Sequence, residues 1–300
     1  MLNNHLKYIR QLVEKGGIEI EEYQEFDDWV ANVVQQHVNG DLSMDDVDSI
    51  RNAFGDALSP NTMQGFALTK PHGYAGDYEM LDRIYQKHIA KESHLRKWDE
   101  YFHLGAAPNA VRNRKSYFLT ILDMLESNRG LMQKSRVDVL NVASGSGRDL
   151  YEFFSSTPNA ELYFDCIDQD THAIAFAKSL CNPWLHRIRF HHQNALKFST
   201  DKKYDLVWSA GLFDYFDDKA FMFLLKRYYG LLARGGELVI GNFSEKNPSR
   251  KYMELIGNWV LHHRNVTKLM SLAEECGIHS SKVHVGSEPL GVNLFLHVKK

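Results

Sequence analysis

The chain has 300 residues, of which 44% are hydrophobic and 24% are charged, as is usual for a globular enzyme. Its 35 Lys and Arg residues nearly balance its 38 Asp and Glu residues, which argues against a protein that binds nucleic acid through a basic surface. Its three scattered cysteines include no C-x-x-C pair, which argues against a disulfide framework or a cysteine-rich zinc site.

The N-terminal sequence MLNNHLKYIRQLVEKGG is amphipathic and charged, and it lacks the apolar core of a secretory signal peptide. No apolar run approaches the ~20 residues that a membrane span requires. We therefore expect a cytoplasmic protein without integral membrane contact.

The chain contains 15 histidines, but their spacing does not indicate a metal site. His191 and His192 lie on a predicted strand, where neighbouring side chains point to opposite faces. His262 and His263 lie on a predicted helix, where neighbours are about 100° apart. The sequence therefore predicts no metal ion.

The N-terminal part of the chain shows helical periodicity. Apolar residues recur at helical spacing, as at Tyr23, Phe26, Val30 and Val33. Because this pattern continues to about residue 130, we predict an all-helical cap domain over residues 1–130.

The C-terminal part of the chain, residues 131–300, changes to short strand-like segments. These are VDVLNVA, ELYFDCID, RIRFHHQ, YDLVWSA, GELVIGNF, SKVHVG and NLFLHVKK. Helical stretches separate the first five, which is typical of a doubly wound parallel sheet covered on both faces. The last two are joined by a short loop and are predicted to form an antiparallel hairpin. The fold class is therefore α/β, with a seven-stranded, mostly parallel sheet.

A glycine-containing turn, VLNVASGSGRDL, follows the first predicted strand. A dinucleotide-binding turn would need a small residue at Leu150, and a phosphate-binding loop would need Lys instead of Arg148. What remains is a tight turn beneath a nucleoside, where Gly145 and Gly147 give the backbone freedom. The alternative is a plain connection between strand and helix.

Polar residues end the second and third predicted strands. Asp168 follows the glycine turn by about twenty residues, where a carboxylate can accept hydrogen bonds from both ribose hydroxyls. Asn194 follows the third strand, where its amide can bind the edge of an adenine. The alternatives are a helix N-cap for Asp168 and a turn residue for Asn194.

These features, with the segment YDLVWSAGLF and the Arg-Gly-Gly turn before the fifth strand, resemble the class I S-adenosylmethionine-dependent methyltransferases. The resemblance extends from about Asp138 to the C-terminus. It departs from the family pattern at Asn141, which replaces an acid, and at Ala143, which replaces a glycine. It implies a Rossmann-like sheet and S-adenosylmethionine as the cofactor. The binding residues that it implies are Asn141, Ala143, Gly145, Gly147, Asp168, Gln169, Asn194, Ala195, Ser209, Ala210 and Gly211.

A second signature, KPHGYAGDYEMLDRIY, interrupts the helical part of the chain. Together with DYF, GNF and WVLHHR further on, it resembles a bacterial subgroup that includes 3-hydroxypalmitic acid methyl ester synthases. The resemblance implies that Tyr74, Gly76, Asp77 and Arg114 face the cofactor or close over it. Arg114 or Arg112 can pair with the methionine carboxylate of the cofactor. The alternatives are a structural helix connection for this segment and a solvated charge for Arg114.

Methyl transfer is an in-line displacement that mainly requires alignment of the reactants and exclusion of water. A carboxylate acceptor needs no base, whereas a phenol or amine usually does, and the candidate bases are Asp77, Asp214 and His72. An aromatic face such as Tyr215 can stabilise a sulfonium. The substrate-binding candidates lie in and after the fifth strand: Asn242, Met253, Trp259 and Arg264.

The sequence therefore predicts an S-adenosylmethionine-dependent methyltransferase that O-methylates a fatty-acid-like or small carboxylic acid by proximity. Its expected partner is this small-molecule or lipid-like acceptor and not a nucleic acid, and a homodimer stays open. The alternatives are an N-methyl- or phenol O-methyltransferase and a non-catalytic binding module with the same fold.

Overall fold

The computed structural model describes residues 2–131 and 133–300. The chain divides into two compact units, one made of Met1–Asn109 and Pro248–Val260 and the other of Ala110–Asn247 and Leu261–Lys300. This division differs from the predicted boundary at residue 130, because most of the helix preceding the sheet belongs with the sheet and a short later segment belongs with the helical unit.

The α-helices, in chain order, are α1 (Leu2–Glu14), α2 (Tyr23–Val38), α3 (Met44–Ala53), α4 (Met63–Thr69), α5 (Tyr78–Gln86), α6 (Arg96–Leu104), α7 (Ala106–Asn128), α8 (Arg148–Ser156), α9 (Thr171–Leu180), α10 (Asp218–Gly230), α11 (Arg250–Leu255) and α12 (Val266–Glu275). The strands are β1 (Val137–Val142), β2 (Leu162–Asp168), β3 (Ile188–His192), β4 (Tyr204–Ser209), β5 (Leu232–Phe243), β6 (Val283–Ser287) and β7 (Asn293–Lys299).

The first unit is helical throughout its described residues. Its core is aromatic: the ring of Trp98 packs edge-on against Phe26 and Phe54, with ring centroids 6.2 and 5.4 Å apart. Leu255 and Ile256 are buried in the same cluster. Burial of these two apolar side chains explains why the segment after β5 joins the helical unit.

The second unit contains the seven-stranded sheet, in the order β3-β2-β1-β4-β5-β7-β6. The first five strands are parallel, and β7 runs antiparallel to both β5 and β6. Val139 and Leu140 are both fully buried although they point to opposite faces, so helices cover both faces. The predicted fold class, with its terminal hairpin, is confirmed.

One local prediction is wrong. His262 and His263 do not lie on a helix, since α11 ends at Leu255 and residues 258–263 form neither helix nor strand. The His262 amide donates a hydrogen bond to the Asp214 carbonyl at 2.7 Å, and Arg264 forms a bridge beside the end of β5. These contacts with more distant residues replace the local hydrogen bonds of a helix.

Within residues 2–131 and 133–300, no helix combines the length and the apolar character that crossing a bilayer requires.

Candidate active site

The site lies where the strand order of the second unit reverses, between β1 and β4. These neighbours are in register at Asn141 and Trp208, and the Ser209 hydroxyl donates to the Val142 carbonyl at 3.2 Å. In an open parallel sheet, the connections that leave these two strands diverge to opposite sides, which opens a crevice at their carboxyl ends. The sheet therefore has a ligand-binding position at this edge.

The turn after β1 carries three residues with positive φ. Ala143, Gly145 and Gly147 have φ of 56°, 55° and 65°. A Cβ on Gly147 would lie 3.1 Å from the Ala177 Cβ, so this glycine allows α8 and α9 to pack closely. A Cβ on Gly145 would meet nothing within 4 Å. Packing therefore explains Gly147, whereas Gly145 borders open space.

Asp168 connects this turn to the turn after β2. Its Oδ2 accepts a hydrogen bond from the Gly145 amide and its Oδ1 one from the Asp170 amide, both at 2.9 Å. Burial raises the pKa of the Asp168 carboxyl, and the Asp170 and Gly145 amides offset part of this shift. Asp170, whose side chain accepts from the His172 amide, is the N-cap of α9. The helix-cap alternative for Asp168 is therefore wrong.

The residues after β2 and β3 meet beside Asp168. The Asn194 Nδ2 donates to the Gln169 Oε1 at 2.9 Å, and the Asn194 Oδ1 accepts from the Leu196 amide at 2.8 Å. The Ala195 carbonyl accepts from the Tyr228 hydroxyl at 2.9 Å. Asn194 is thus a turn residue, and its amide also fixes the side chain of Gln169.

Arg114, on α7, reaches the carboxyl end of β4. Its side chain is 5% exposed, and it donates to the Ala210 carbonyl at 3.1 Å. A Cβ on Gly211 would lie 3.1 Å from its guanidinium, so a glycine here lets the cation lie against the chain. In the described part of the chain, no carboxylate forms an ion pair with Arg114. The solvated-charge alternative is wrong, because Arg114 is buried.

Asp214 is a fully buried carboxyl beside this cation. Its Oδ1 accepts from the Phe243 amide at 2.6 Å, but its Oδ2 has no partner among the described residues. Burial raises the pKa of Asp214 to about 6, against the opposing effects of the Phe243 amide and the charges of Arg114 and Arg264. The neighbouring Tyr215 is 37% exposed.

Asn141, near the end of β1, is a second buried residue with an unused polar atom. It is 2% exposed, and its Nδ2 has no partner in the described part of the chain. A buried polar atom without a partner costs about 1–3 kcal/mol, so such atoms are rare unless a ligand or water completes them.

Two predicted substrate-binding residues have a different role in the structure. The Arg264 guanidinium donates to the Asn242 Oδ1 at 2.8 Å, to the Phe216 carbonyl at 2.6 Å and to the Asp218 carboxylate at 3.0 Å. The Asn242 Nδ2 donates to the Phe243 and His262 carbonyls. Both side chains therefore hold residues 262–264 against the end of β5, which leaves them few donors for a substrate.

Asp77 is the N-cap of α5 in the first unit. Its Oδ1 accepts from the Glu79 and Met80 amides at 2.9 and 2.8 Å. Burial raises the pKa of Asp77, although the Met80 amide, the His72 charge and the Glu79 amide oppose the shift. The capping contacts give this carboxyl a structural role.

The remaining predicted residues also belong to the first unit. Tyr74 and Gly76 lie in the loop between α4 and α5, and Gly76 has a φ of 67°. Met253 and Trp259 are each 8% exposed, and the Trp259 amide donates to the Met253 carbonyl at 2.9 Å. Their roles at the cofactor and the acceptor stay predictions.

Sequence reasoning missed one polar cluster, at the opposite side of the sheet from β3. Glu237, His284 and His297 each offer one ligand atom, and these atoms all lie within 4.8 Å of one another. The three residues come from β5, β6 and β7. Only the register of the predicted hairpin could have indicated that they meet.

Comparison with known proteins identifies the class of fold. Residues 139–236 match the family model of the methyltransferase domain. Over 122 residues the chain is 27% identical to malonyl-[acyl-carrier protein] O-methyltransferase 1 of Ilyobacter polytropus. This match covers 41% of the chain and 42% of that protein, so the chain matches less than half the length of this curated relative.

Two solved structures are similar over most of the chain. A Bordetella parapertussis protein described as a possible exported protein has a TM-score of 0.65 at 18% identity, with coverage of 100% of this chain and 97% of that one. Magnesium protoporphyrin IX methyltransferase of Synechocystis, crystallised with bound SAH, has a TM-score of 0.54 at 11% identity, covering 79% and 99%. The chain therefore has the class I methyltransferase fold, as predicted.

Proposed function

We propose that this chain is an S-adenosylmethionine-dependent methyltransferase whose cofactor site is the crevice between β1 and β4. The observation that carries the proposal is the group of incompletely satisfied buried polar side chains at this edge: Arg114, Asn141 and Asp214. The methyltransferase-domain match, which covers β1 to the start of β5, supports the same assignment.

The polar groups at this edge fit a ligand with one carboxylate and one ammonium. Arg114 can donate to a carboxylate, and the unpaired Asp214 Oδ2 can accept from an ammonium. A pyrophosphate fits poorly, because Asp168 and Asp214 would both repel it. The methionine end of S-adenosylmethionine carries both required charges.

The ribose and adenine end is assigned to the turns after β1 and β2. The Asp168 oxygens each accept one backbone amide, and each keeps a further lone pair for a ribose hydroxyl. The open space at Gly145 gives the ligand room to approach the backbone. Gln169 and Asn194, held by their mutual hydrogen bond, are the candidates for the adenine edge.

When bound, the cofactor supplies an electrophilic methyl group on a positively charged sulfur. The chain's own contribution is to hold the donor rigidly and to keep water away, which together lower the barrier to an in-line displacement. Asp214 ionises at neutral pH, since its pKa is about 6, and so can hold a cationic group. None of this requires a proton transfer if the acceptor is already an anion.

For the acceptor we propose a carboxylic acid, either fatty-acid-like or small, that receives the methyl group on oxygen. Carboxylates are anionic at neutral pH and need no general base. The name of the Ilyobacter relative places O-methylation on malonyl-[acyl-carrier protein], which supports an acyl acceptor. The product would then be a methyl ester.

A second candidate is methylation of a phenol or an amine. It is favoured by Asp214, because a buried carboxyl with an unpaired oxygen and a pKa of about 6 suits a general base at neutral pH. The two candidates differ in the bond formed. Methyl esters are cleaved by mild alkali, whereas methyl ethers and methylamines are not.

Calorimetry tests the cofactor. S-adenosylmethionine and its demethylated product should each bind at one site per chain, and NAD should not bind. Absence of binding by both adenosyl ligands would instead support a non-catalytic module with this fold.

The acceptor is tested with S-adenosylmethionine carrying a trideuterated methyl group. The protein is incubated with fatty acids, 3-hydroxy fatty acids, short dicarboxylic acids, phenols and amines, and the products are analysed by mass spectrometry. We expect labelled products from acids alone, and release of trideuterated methanol on mild alkaline hydrolysis. Alkali-stable label would support the second candidate.

A further inference from the structure

A histidine pair with a carboxylate occupies one face of the sheet at β5, β7 and β6. His284 and His297 are directly opposite one another in the antiparallel pair of β6 and β7. Val239 is opposite His297, so Glu237, two residues before it on β5, points to the same face. The His297 Nδ1 and the Glu237 Oε1 are 3.0 Å apart.

His284 differs from Glu237 and His297, because no hydrogen bond explains its position in the cluster. Its ring lies face to face with that of His297, with centroids 4.3 Å apart and planes inclined by 16°. It makes no hydrogen bond with a described residue. The nitrogens of this exposed imidazole therefore stay open to a further ligand.

The Glu237 carboxylate has a cationic neighbour in addition to its contact with His297. Lys299 is the cross-strand partner of Glu237. Its ammonium is the charge that would oppose a bound cation here.

Tyr117, on α7, fixes the orientation of His297. Its hydroxyl lies 2.8 Å from the His297 Nε2, and its ring is stacked on Phe295 with centroids 4.0 Å apart. A Cβ on Gly286 would lie 2.6 Å from the Tyr117 hydroxyl, so only a glycine leaves room for this contact. The Nε2 of His297 is thereby occupied, and its Nδ1 faces Glu237.

We propose that Glu237, His284 and His297 form a binding site for a divalent transition-metal ion, with Zn²⁺ as the reference ion. Two imidazoles and a carboxylate are ligands that Zn²⁺ and neighbouring metals prefer over Mg²⁺ or Ca²⁺. A hydrogen bond from a ligating histidine to a second residue, here Tyr117, is the usual support of such a site.

Formation of the site requires His284 to rotate out of its stack on His297, because stacked rings direct their in-plane lone pairs side by side. Bonds of about 2.1 Å in a tetrahedral site place ligand atoms about 3.4 Å apart. The three ligand atoms already lie within 4.8 Å of one another on a rigid sheet. Rotation of the exposed His284 closes the difference, and water fills the remaining coordination position. The bound ion would join the two outer strands to β5.

Titration of the metal-free 300-residue chain with zinc chloride at neutral pH tests the proposal. We expect one bound ion per chain, with no competition from excess Mg²⁺. His284→Gln and Glu237→Gln should each weaken the binding at least ~10-fold, as loss of a ligand or its support does. His284 is exposed, so its substitution should leave the fold intact.

Two further variants control for general effects of charge and histidine number. His186→Gln removes an exposed histidine near β3, at the opposite edge of the sheet, and should leave the affinity unchanged. Lys299→Gln should strengthen binding, because it removes the opposing ammonium.

Thermal unfolding gives an independent readout. A ligand that binds only the native state raises Tm, so saturating Zn²⁺ should raise Tm in the wild type and not in His284→Gln. If wild type binds no Zn²⁺, or if His284→Gln binds it as tightly as wild type, the cluster is a hydrogen-bonded contact and the proposal is wrong. Neither result depends on methyl transfer.

Discussion

The carboxylate of Asp168 accepts a hydrogen bond from the amide of Gly145 at 2.9 Å, so the residue that ends β2 holds the turn that ends β1. This contact gives Asp168 two roles, which are to shape the turn and to offer its remaining lone pairs to a ligand. A bound ribose would contact both the turn and these lone pairs. We therefore expect substitution of Asp168 to disturb the turn and to weaken ligand binding together.

We expect Asp168→Ala to abolish measurable binding of S-adenosylhomocysteine and to destabilise the protein by about 1–3 kcal/mol, since two partly buried amides lose their acceptor. Asp168→Asn keeps one carbonyl oxygen and should lose affinity with a smaller effect on stability. Calorimetry and urea unfolding measure the two quantities. Asp201→Asn, at an exposed position, is the control. Unchanged affinity in Asp168→Ala would remove the ribose assignment.

The two glycines of the turn should respond differently to alanine. At Gly145 a Cβ meets open space, so Gly145→Ala should cost only the ~1–2 kcal/mol of a left-handed alanine while weakening the binding of adenosyl ligands. At Gly147 a Cβ would lie 3.1 Å from Ala177, so Gly147→Ala should lower Tm further. If both variants showed the same Tm shift and bound adenosyl ligands with the same affinity, the proposed open space at Gly145 would be wrong.

The fold was predictable because its signals are local. Val139 and Leu140 belong to a continuous apolar run, and such runs separated by helical segments define a parallel sheet buried on both faces. The hairpin of β6 and β7 follows equally from the short loop between them. The glycine turn and Asp168 were predictable for the same reason, since each sits at a strand end.

The rest depended on contacts between residues far apart in sequence. The sequence suggests that Arg264 binds a substrate, yet its buried guanidinium donates hydrogen bonds to Asn242 and Asp218. The pairing of His284 with His297 depends on strand register. The unpaired Oδ2 of Asp214 is visible only once its burial is known. Periodicity carries none of this information.

Arg114 should discriminate between ligands by their methionine end. Arg114→Met should weaken S-adenosylhomocysteine at least ~10-fold, the loss expected when a charged group loses a hydrogen bond of about 1.5–3 kcal/mol. 5′-Methylthioadenosine lacks the amino-acid group, so its affinity should be nearly the same in wild type and variant. Arg114→Lys keeps the charge without the planar fork and should be intermediate. Calorimetry with both ligands measures the difference, and equal losses for both would show that Arg114 acts only on the fold.

Asp214 should make the stability of the ligand-free protein depend on pH in a defined window. The pKa is about 6 in the folded chain and 3.8 in its ordinary range, so between these values the folded state binds the proton more tightly. The stabilisation of the folded state by protonated Asp214 is therefore fully present below pH 3.8, and it is lost as the pH rises through 6. A difference of about 2 units corresponds to about 3 kcal/mol.

Asp214→Asn removes this titration while keeping an acceptor for the Phe243 amide. The variant should be about 3 kcal/mol more stable than wild type at pH 7, and this advantage should shrink as the pH falls from 6 to 4. Urea unfolding of both proteins across this range gives the difference, in which the other carboxyls cancel. The same variant should bind S-adenosylmethionine more weakly at pH 7, because a neutral amide cannot balance the ammonium. A pH-independent difference in stability would mean that Asp214 does not ionise in this window, and its assignment to the ammonium would then be wrong.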